Sequence, residues 1–236
     1  MGLITYNENL KTVVWVNGEP VKFIPPNSSG IVPLSIALKS GDNEVFVTTE
    51  SSDGSEGTVN VEVKEGHWRE PEKIKIHFKW DSKKANDKSP AFSYKVAEGN
   101  GEDFSSYDDI EPKALENKNE ILKSIYEMLK SGLEKRSLAE AGIDKNKLNL
   151  MASSLFKTDD FVDQVFNSET YKFSVISKIE TLEVIKGKKT LLFYNPTGEK
   201  IFEAGPEPNS DGTVAFTFFV ESIRVAKKNG QWHFIF

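Results

Sequence analysis

Cysteine is absent from the 236-residue chain and histidine is scarce, which excludes several kinds of metal site and catalytic site. Without cysteine the chain has no disulfide, thiolate zinc site, iron–sulfur cluster or cysteine nucleophile. The three histidines, His67, His77 and His233, are far apart in the sequence, which argues against a histidine metal site. We therefore predict that the protein holds no metal ion and no cofactor.

Long apolar runs and an excess of basic residues are lacking as well. No run approaches the roughly 18 apolar residues of a membrane-spanning helix, and we predict no membrane span. The net charge is -6, whereas phosphate binding needs a basic surface, and we predict no nucleic-acid partner. The first ten residues show no signal peptide, which leaves open a native start or a start from which a signal or anchor was removed.

The first part of the chain, residues 1–97, is predicted to form an antiparallel β-sandwich. Its segments TVNVEVKE, EKIKIHFKW and AFSYKV alternate apolar and polar residues, which gives each strand one buried and one solvent-facing side. Asn17-Gly18 is a strong signal for a two-residue hairpin, and residues 34–38 alternate as a further strand. Many short strands separated by turn residues are typical of a sandwich.

Residues 98–114 are predicted to be an acidic linker, and residues 115–236 an α+β domain. The linker is rich in Asp, Glu, Gly and Ser, and apolar residues recur at helical spacing after it. The helical stripe consists of Ile121, Ile125, Leu129 and Leu133. From Tyr171 onwards the period changes to two, and helices followed by an antiparallel meander are the α+β pattern. We thus predict two domains that are together mostly β.

Two stretches resemble known families. VVWVNG and LKSGDNEVFV, within residues 13–47, resemble the sandwich modules of extracellular and cell-envelope proteins, immunoglobulin-like or galactose-binding-like. The C-terminal order of elements, ending in GQWHFIF, is similar to the nuclear-transport-factor-like (ketosteroid-isomerase-like) cone. This second resemblance implies a curved antiparallel sheet whose concave face is covered by helices. Several bacterial immunity proteins that neutralise secreted toxins use this cone, so the resemblance also implies such a protein as one hypothesis.

The turn EGHWREPE contains the candidate partner-binding site. His67, Trp68 and Arg69 lie between two predicted strands, where side chains are free to reach outwards. Trp and Arg are enriched among the residues that dominate binding energies at protein interfaces. We predict that these three residues contact a protein partner, and an ordinary surface turn is the alternative.

No residue is predicted to be catalytic. Fingerprints of nucleotide-binding loops, zinc proteases and serine hydrolases are absent from the sequence. His233 alternates with the apolar side of the last strand and is predicted to lie on the surface. Asp159 and Asp160 would approach Tyr171 and Tyr194 only in the cone fold, where such groups serve lyases and isomerases. Acids in a first helical turn also favour the helix dipole, and we prefer this structural interpretation.

Two further patterns are interpreted as structural. A basic stripe alternates with apolar residues in EKIKIHFKW and is typical of a charged solvent face. The stripe consists of Lys73, Lys75, His77 and Lys79. Trp80 and Trp232 alternate with other apolar residues and are predicted to pack in cores. The last strand, with Trp232, Phe234 and Phe236 on one side, is predicted to close a core rather than to line a ligand pocket.

These observations support three hypotheses about function. The first is a non-enzymatic binding protein of the bacterial cell envelope, periplasmic or extracellular, with a secreted toxin as one class of protein partner; a cytoplasmic location and the oligomeric state stay open. The second is a C-terminal domain that binds a small molecule or acts as a lyase or isomerase. The third is a glycan-binding sandwich with an accessory domain. An exposed aromatic row on a sandwich face would favour the third hypothesis over the first.

Overall fold

The computed structural model describes residues 1–51, 54, 56–66, 73–146, 171–175, 178–206 and 218–235. The chain is mostly β, and the strands within these ranges pair antiparallel throughout, as their alternation predicts. Contacts divide the chain into two compact units, Met1–Ser105 and Ser106–Phe236.

The residues of the first unit that the structure describes form two four-stranded antiparallel sheets and one short helix. Its elements are β1 (Gly2–Glu8), β2 (Leu10–Val16), β3 (Glu19–Ile24), β4 (Ser28–Pro33), α1 (Leu34–Ala37), β5 (Lys39–Ser51), β6 (Thr58–Glu65), β7 (Lys75–Ser82) and β8 (Phe92–Asn100). One sheet has the strand order β4-β1-β6-β7, and the other has the order β3-β2-β5-β8. Residues from both sheets share one core, so the unit is sandwich-like, as predicted.

Valine and leucine side chains fill the core of the first unit. On β6, Val59, Val61 and Val63 are at most 1% exposed, whereas Asn60 and Glu62 between them face outwards. This alternation confirms the prediction for TVNVEVKE and follows from the two-residue period of a strand. The buried core residues are Leu3, Leu10, Val14, Val16, Ile24, Val32, Leu34, Leu38, Val45, Val47, Val59, Val61 and Val63.

Residues 34–38 differ from the strand that their alternation predicts. They form the single helical turn α1, and the Leu38 backbone N–H donates to the Leu34 carbonyl oxygen at 2.9 Å. Leu34 and Leu38 are 0% and 2% exposed. Residues four apart share one face of a helical turn, so the same apolar residues suit either conformation. The prediction of a strand here was wrong because alternation over so few residues does not separate the two.

Strand β7 departs from strict alternation at His77. Lys64 of β6 pairs with Ile76 and Val63 pairs with Phe78, so His77 is the extra residue of a β-bulge. Ile76 is consequently on the solvent side of the sheet and 53% exposed, while Phe78 packs against the sandwich core.

The bulge also interrupts the predicted basic stripe. The His77 ring lies 6.1 Å from the Tyr94 ring and 6.4 Å from the Phe92 ring. Its Nε2 atom is 2.7 Å from Glu65 Oε2. The expectation that His77 and Lys79 share one continuous solvent face was therefore wrong, because one inserted residue reverses the side on which later residues fall.

In the described part of the second unit, one long helix is combined with two antiparallel sheets. Its elements are α2 (Lys118–Glu134), β9 (Tyr171–Val175), β10 (Glu183–Lys186), β11 (Thr190–Tyr194), β12 (Phe202–Pro206), β13 (Phe218–Val220), β14 (Ser222–Lys228) and β15 (Gln231–Ile235). The sheets have the strand orders β10-β11-β14-β15 and β13-β12-β9. Helix α2 falls within the stretch whose helical period predicts it.

The apolar stripe of α2 packs on the first of these sheets. Ile125 and Leu129 are at most 1% exposed and belong to one core with Phe193, Val225 and Phe234. Phe234, in the last strand, is 8% exposed. Phe234 is thus a core residue and His233 beside it is exposed, as the alternation of the last strand predicts. Ile235, which alternation places on the outer side, is also buried, and Phe236 lies outside the described residues.

Residues 107–110 are hydrogen-bonded to β14 and to the turn between β10 and β11. The Asp108 backbone N–H donates to the Lys227 carbonyl oxygen, and the Ile110 N–H donates to that of Lys188, both at 2.8 Å. A 3-10 turn, Pro112–Leu115, follows and leads into α2. These contacts place the segment before α2 against the hairpin β14–β15, where it helps to form a groove.

Candidate binding groove

A groove of about 400 Å3 lies in the second unit, between α2, the segment that precedes it and the hairpin β14–β15. One wall is formed by Asn117, Glu120, Ile121 and Ser124. Positions spaced by three, four and seven residues fall on one side of a helix, so these four side chains form a continuous surface. Lys113 and Ala114, in the 3-10 turn that precedes α2, extend this wall beyond the N-terminal end of the helix.

The bottom of the groove is apolar and contains a tryptophan. Ile110 is 4% exposed and Ile121 is 6% exposed. Trp232 of β15 is half-buried and packs against the core of the second unit. Lys227 of β14 lies directly opposite Trp232, and its ammonium group is 5.9 Å from the centre of the ring. That distance suits a cation–π interaction, which holds the indole ring in place.

The rim carries charges of both signs. Lys189 Nζ lies 2.7 Å from Asp109 Oδ1. The hydrogen bond from Lys189 lowers the pKa of the Asp109 carboxyl, and the charges of Lys189, Lys188 and Lys186 add to this effect. Asp109 is therefore ionised and compensated at neutral pH.

The other rim charges have no such compensation. Glu111, Glu120 and Lys113 are exposed, and within the described ranges none of the three makes an ion pair or side-chain hydrogen bond. Protein interfaces commonly desolvate an apolar side chain at the centre and pair charges at the edge, and a groove with an apolar floor and exposed charges at its rim is compatible with that pattern.

The predicted site at His67, Trp68 and Arg69 lies outside the described residues, and its role as a partner contact stays a prediction. In the described ranges no group of three or more His, Asp or Glu side chains is arranged to hold a metal ion. The helices described there are too short or too polar to cross a membrane.

Of the residues considered for catalysis, the structure describes the side chains of Tyr194 and His233, and these two lie apart. The Tyr194 hydroxyl donates to Glu183 Oε2 at 2.7 Å, and Tyr194 alternates with Phe193, which faces α2. His233 is exposed and pairs with Ala226, four register positions from Tyr194's partner Ser222. Asp159 and Asp160 lie outside the described residues, and of Tyr171 only the strand backbone is described.

Sequence reasoning assigned Trp232 to the core and did not identify the groove. The signal was present in part, because Asn117, Glu120 and Ser124 have the same helical spacing as the apolar stripe and lie beside it. The sequence does not indicate that residues 109–114 line the same groove as this side of α2. The backbone hydrogen bonds that hold this segment in place, from Asp108 to Lys227 and from Ile110 to Lys188, join residues that are far apart in the sequence.

Comparison with known proteins adds no family: no family model, no curated protein and no solved structure matches the chain.

Proposed function

We propose that the protein is a non-enzymatic binding protein that docks a protein partner in the groove of its second unit. The observation that carries the proposal is the half-buried Trp232 at the bottom of a cavity whose rim bears Glu111, Glu120 and Lys113. Trp is the residue type most enriched among those that dominate interface energies, and it acts most strongly in a pocket surrounded by contacts that exclude water. The partner therefore inserts an apolar side chain over Trp232.

The rim charges restrict the partner further. A surface of one sign would be repelled by part of the rim, because both carboxylates and ammonium groups line the groove. Pairing requires a docking segment that carries both signs beside its apolar anchor. Such pairs act mainly on specificity and association rate, while the buried anchor supplies affinity.

The two sheets of the second unit are, in this proposal, halves of one bent sheet of the cone type. β9 pairs with β12 and β10 with β11 in one common register, and β13 runs into β14 with only Glu221 between them. This continuity supports a single curved surface with α2 on one side. An experimental structure in which the two sheets stack face to face would contradict it.

The resemblance of the two halves to envelope sandwiches and to the cone of immunity proteins supports a bacterial envelope location, periplasmic or extracellular, with a secreted toxin as the partner class. Fractionation of source cells with an antibody against the chain tests the location. Recovery of the protein from the cytoplasmic fraction alone would rule it out.

The partner is tested by affinity capture followed by titration. The tagged full chain is used to enrich proteins from crosslinked source cells, and the enriched protein is purified and titrated by calorimetry. Glu120→Lys should weaken binding about tenfold or more, because it reverses one rim charge. Glu127→Lys is the matched control, since Glu127 is an exposed residue of the same helix outside the groove, and it should stay within about twofold of the parent.

Two results would reject the groove as the docking site. One is a purified partner whose affinity is unchanged by Glu120→Lys and by Lys113→Glu. The other is equal weakening by Glu120→Lys and Glu127→Lys, which would show a general effect of charge on α2. Enrichment of no protein over an untagged control would count against the protein-binding function itself.

A further inference from the structure

A second concave site lies on the first unit and has a different chemistry. It is a shallow recess of about 470 Å3 at one end of the sheet β4-β1-β6-β7. Each residue that lines it carries a hydroxyl, amide or carboxylate group, and its lining contains neither lysine nor arginine. The groove of the second unit, by contrast, has an apolar floor and ammonium groups at its rim.

Three side chains of the recess stand in one row across neighbouring strands. Tyr6 of β1 pairs with Ser29 of β4 on one side and with Asn60 of β6 on the other. Opposed residues on adjacent strands have Cβ atoms about 4.5–5.5 Å apart, which is the scale of a single sugar ring. Tyr6 is 52% exposed, although tyrosine usually buries most of its ring. The row therefore presents an aromatic ring with a hydrogen-bonding group on either side.

The polar groups of this row are available to a ligand. Tyr6, Ser29 and Asn60 make no side-chain hydrogen bond or ion pair with any residue that the structure describes. The asparagine amide supplies both donors and an acceptor, and the serine hydroxyl supplies one donor and two acceptor sites.

The groups at the edge of the recess are already engaged and hold its shape. Thr58 Oγ1 donates to Glu8 Oε2 at 3.3 Å, and the Asn9 backbone N–H donates to Asn27 Oδ1 at 3.0 Å. The carboxylate that could attract a cation is thus partly satisfied by a neighbouring hydroxyl. Strand pairing on both sides of β1 makes the row rigid before a ligand arrives, which limits the entropy lost on binding.

We propose that this recess binds a neutral saccharide. The Tyr6 ring packs against the C–H face of one sugar ring, and Ser29 and Asn60 exchange hydrogen bonds with its hydroxyl groups. A phosphate or sulfate ligand fits less well, because anion recognition uses Arg, Lys or clustered backbone N–H groups and the lining has no such cation. The site does not depend on the groove of the second unit, and either proposal can fail without the other.

The test is a titration of the full chain followed by 1H–15N correlation spectra. D-glucose, D-galactose and N-acetyl-D-glucosamine are added separately up to tens of millimolar, because a shallow site for one sugar binds weakly. At least one of the three should shift the backbone amide signals of Tyr6, Ser29 and Asn60 in a saturable way. Tyr6→Ala and Asn60→Ala should each weaken this binding about tenfold. Ile76→Ala, on the same outer face but outside the recess, should stay within about twofold of the parent.

Dispersed spectra of each variant show whether it is folded, so that a loss of binding is not a loss of structure. The proposal is overturned if none of the three sugars produces saturable shifts. It is equally overturned if the shifts map outside the recess, if Ile76→Ala weakens binding as much as Tyr6→Ala, or if inorganic phosphate shifts the same amides at lower concentration than any of the sugars.

Discussion

The two units bury their cores in different ways. The first unit places two sheets face to face, and most of the side chains between them are valines and leucines contributed by strands. The second unit packs α2 on a sheet, and its core includes large side chains such as Tyr126, Phe193 and Phe234. Most of the other buried side chains of the second core are leucine and isoleucine, so the second core differs from the first by its larger side chains.

The two units also differ in how clearly the sequence predicts their strands. Strand β6 alternates cleanly, because one of its sides faces the core and the other faces solvent. All five residues of β11 are buried, at most 5% exposed, and their alternation disappears. A strand covered on both sides reads as a continuous apolar run, which a buried helix can also produce.

The largest effect should come from shortening a large side chain in the second unit. Phe234→Ala should lower the free energy of unfolding by about 3–5 kcal/mol, the range for removing a buried Phe. Val61→Ala in the first unit should cost about 2 kcal/mol, since two methyl groups are lost and the cavity is small. Denaturant unfolding measures both, and hydrogen exchange assigns the loss to a unit.

His233→Ala is the control for the last strand. His233 is exposed next to Phe234, and its removal should change stability by about 0.5 kcal/mol or less. If Val61→Ala costs more than Phe234→Ala, the contrast between the two cores is wrong.

A close backbone approach in the second unit should give the next largest effect. A Cβ atom on Gly132 of α2 would clash with the Ala141 backbone nitrogen, so the turn after the helix must move. Gly132→Ala should therefore cost about 1–3 kcal/mol despite the better helix propensity of alanine. Ser131→Ala, at the neighbouring position, is the control and should be neutral within about 0.5 kcal/mol. A stabilised Gly132→Ala protein would show that α2 and this turn are not in contact.

Each unit also buries a hydroxyl group without a partner, and removing it should stabilise the protein. The Thr5 Oγ1 atom in the first unit and the Tyr126 hydroxyl in the second have no hydrogen-bond partner within the described ranges. Burial correspondingly raises the pKa of Tyr126. Thr5→Val and Tyr126→Phe keep the shape of each side chain and should each raise the unfolding free energy by about 1 kcal/mol. Destabilisation by either change would reveal that its hydroxyl is hydrogen-bonded in solution, for example to a buried water.

The smallest effect should be the pH dependence of the ion pair beside the groove. Because the Lys189 hydrogen bond lowers the pKa of Asp109 in the folded state, the pair stabilises the protein above the ordinary carboxyl pKa of about 3.9. This contribution is lost as the pH falls through the lowered pKa. Asp109→Asn should therefore be less stable than the parent at pH 7, and the difference should shrink in acid. A difference that is constant with pH would mean that Asp109 acts by packing and not by charge.

Part of the candidate groove could be read from the sequence, and part could not. The helix that forms its wall follows from the recurrence of Ile121, Ile125 and Leu129, and the burial of Phe234 follows from alternation in the last strand. The partial exposure of Trp232 in the groove does not follow from any such pattern. It depends on how far residues 109–114 stand away from the hairpin, and no local pattern in that segment encodes the distance.

Local periodicity alone determined the mostly β character of the chain, the position of α2 and the buried side of strands such as β6. These features depend on which residues of one element share a face, and the spacing of apolar residues in the sequence shows this directly. The tertiary structure decided the bulge at His77, the helical turn at Leu34 and the row formed by Ser29, Tyr6 and Asn60. Strands distant in sequence can pair in several registers, and only the packing of the whole unit selects one of them.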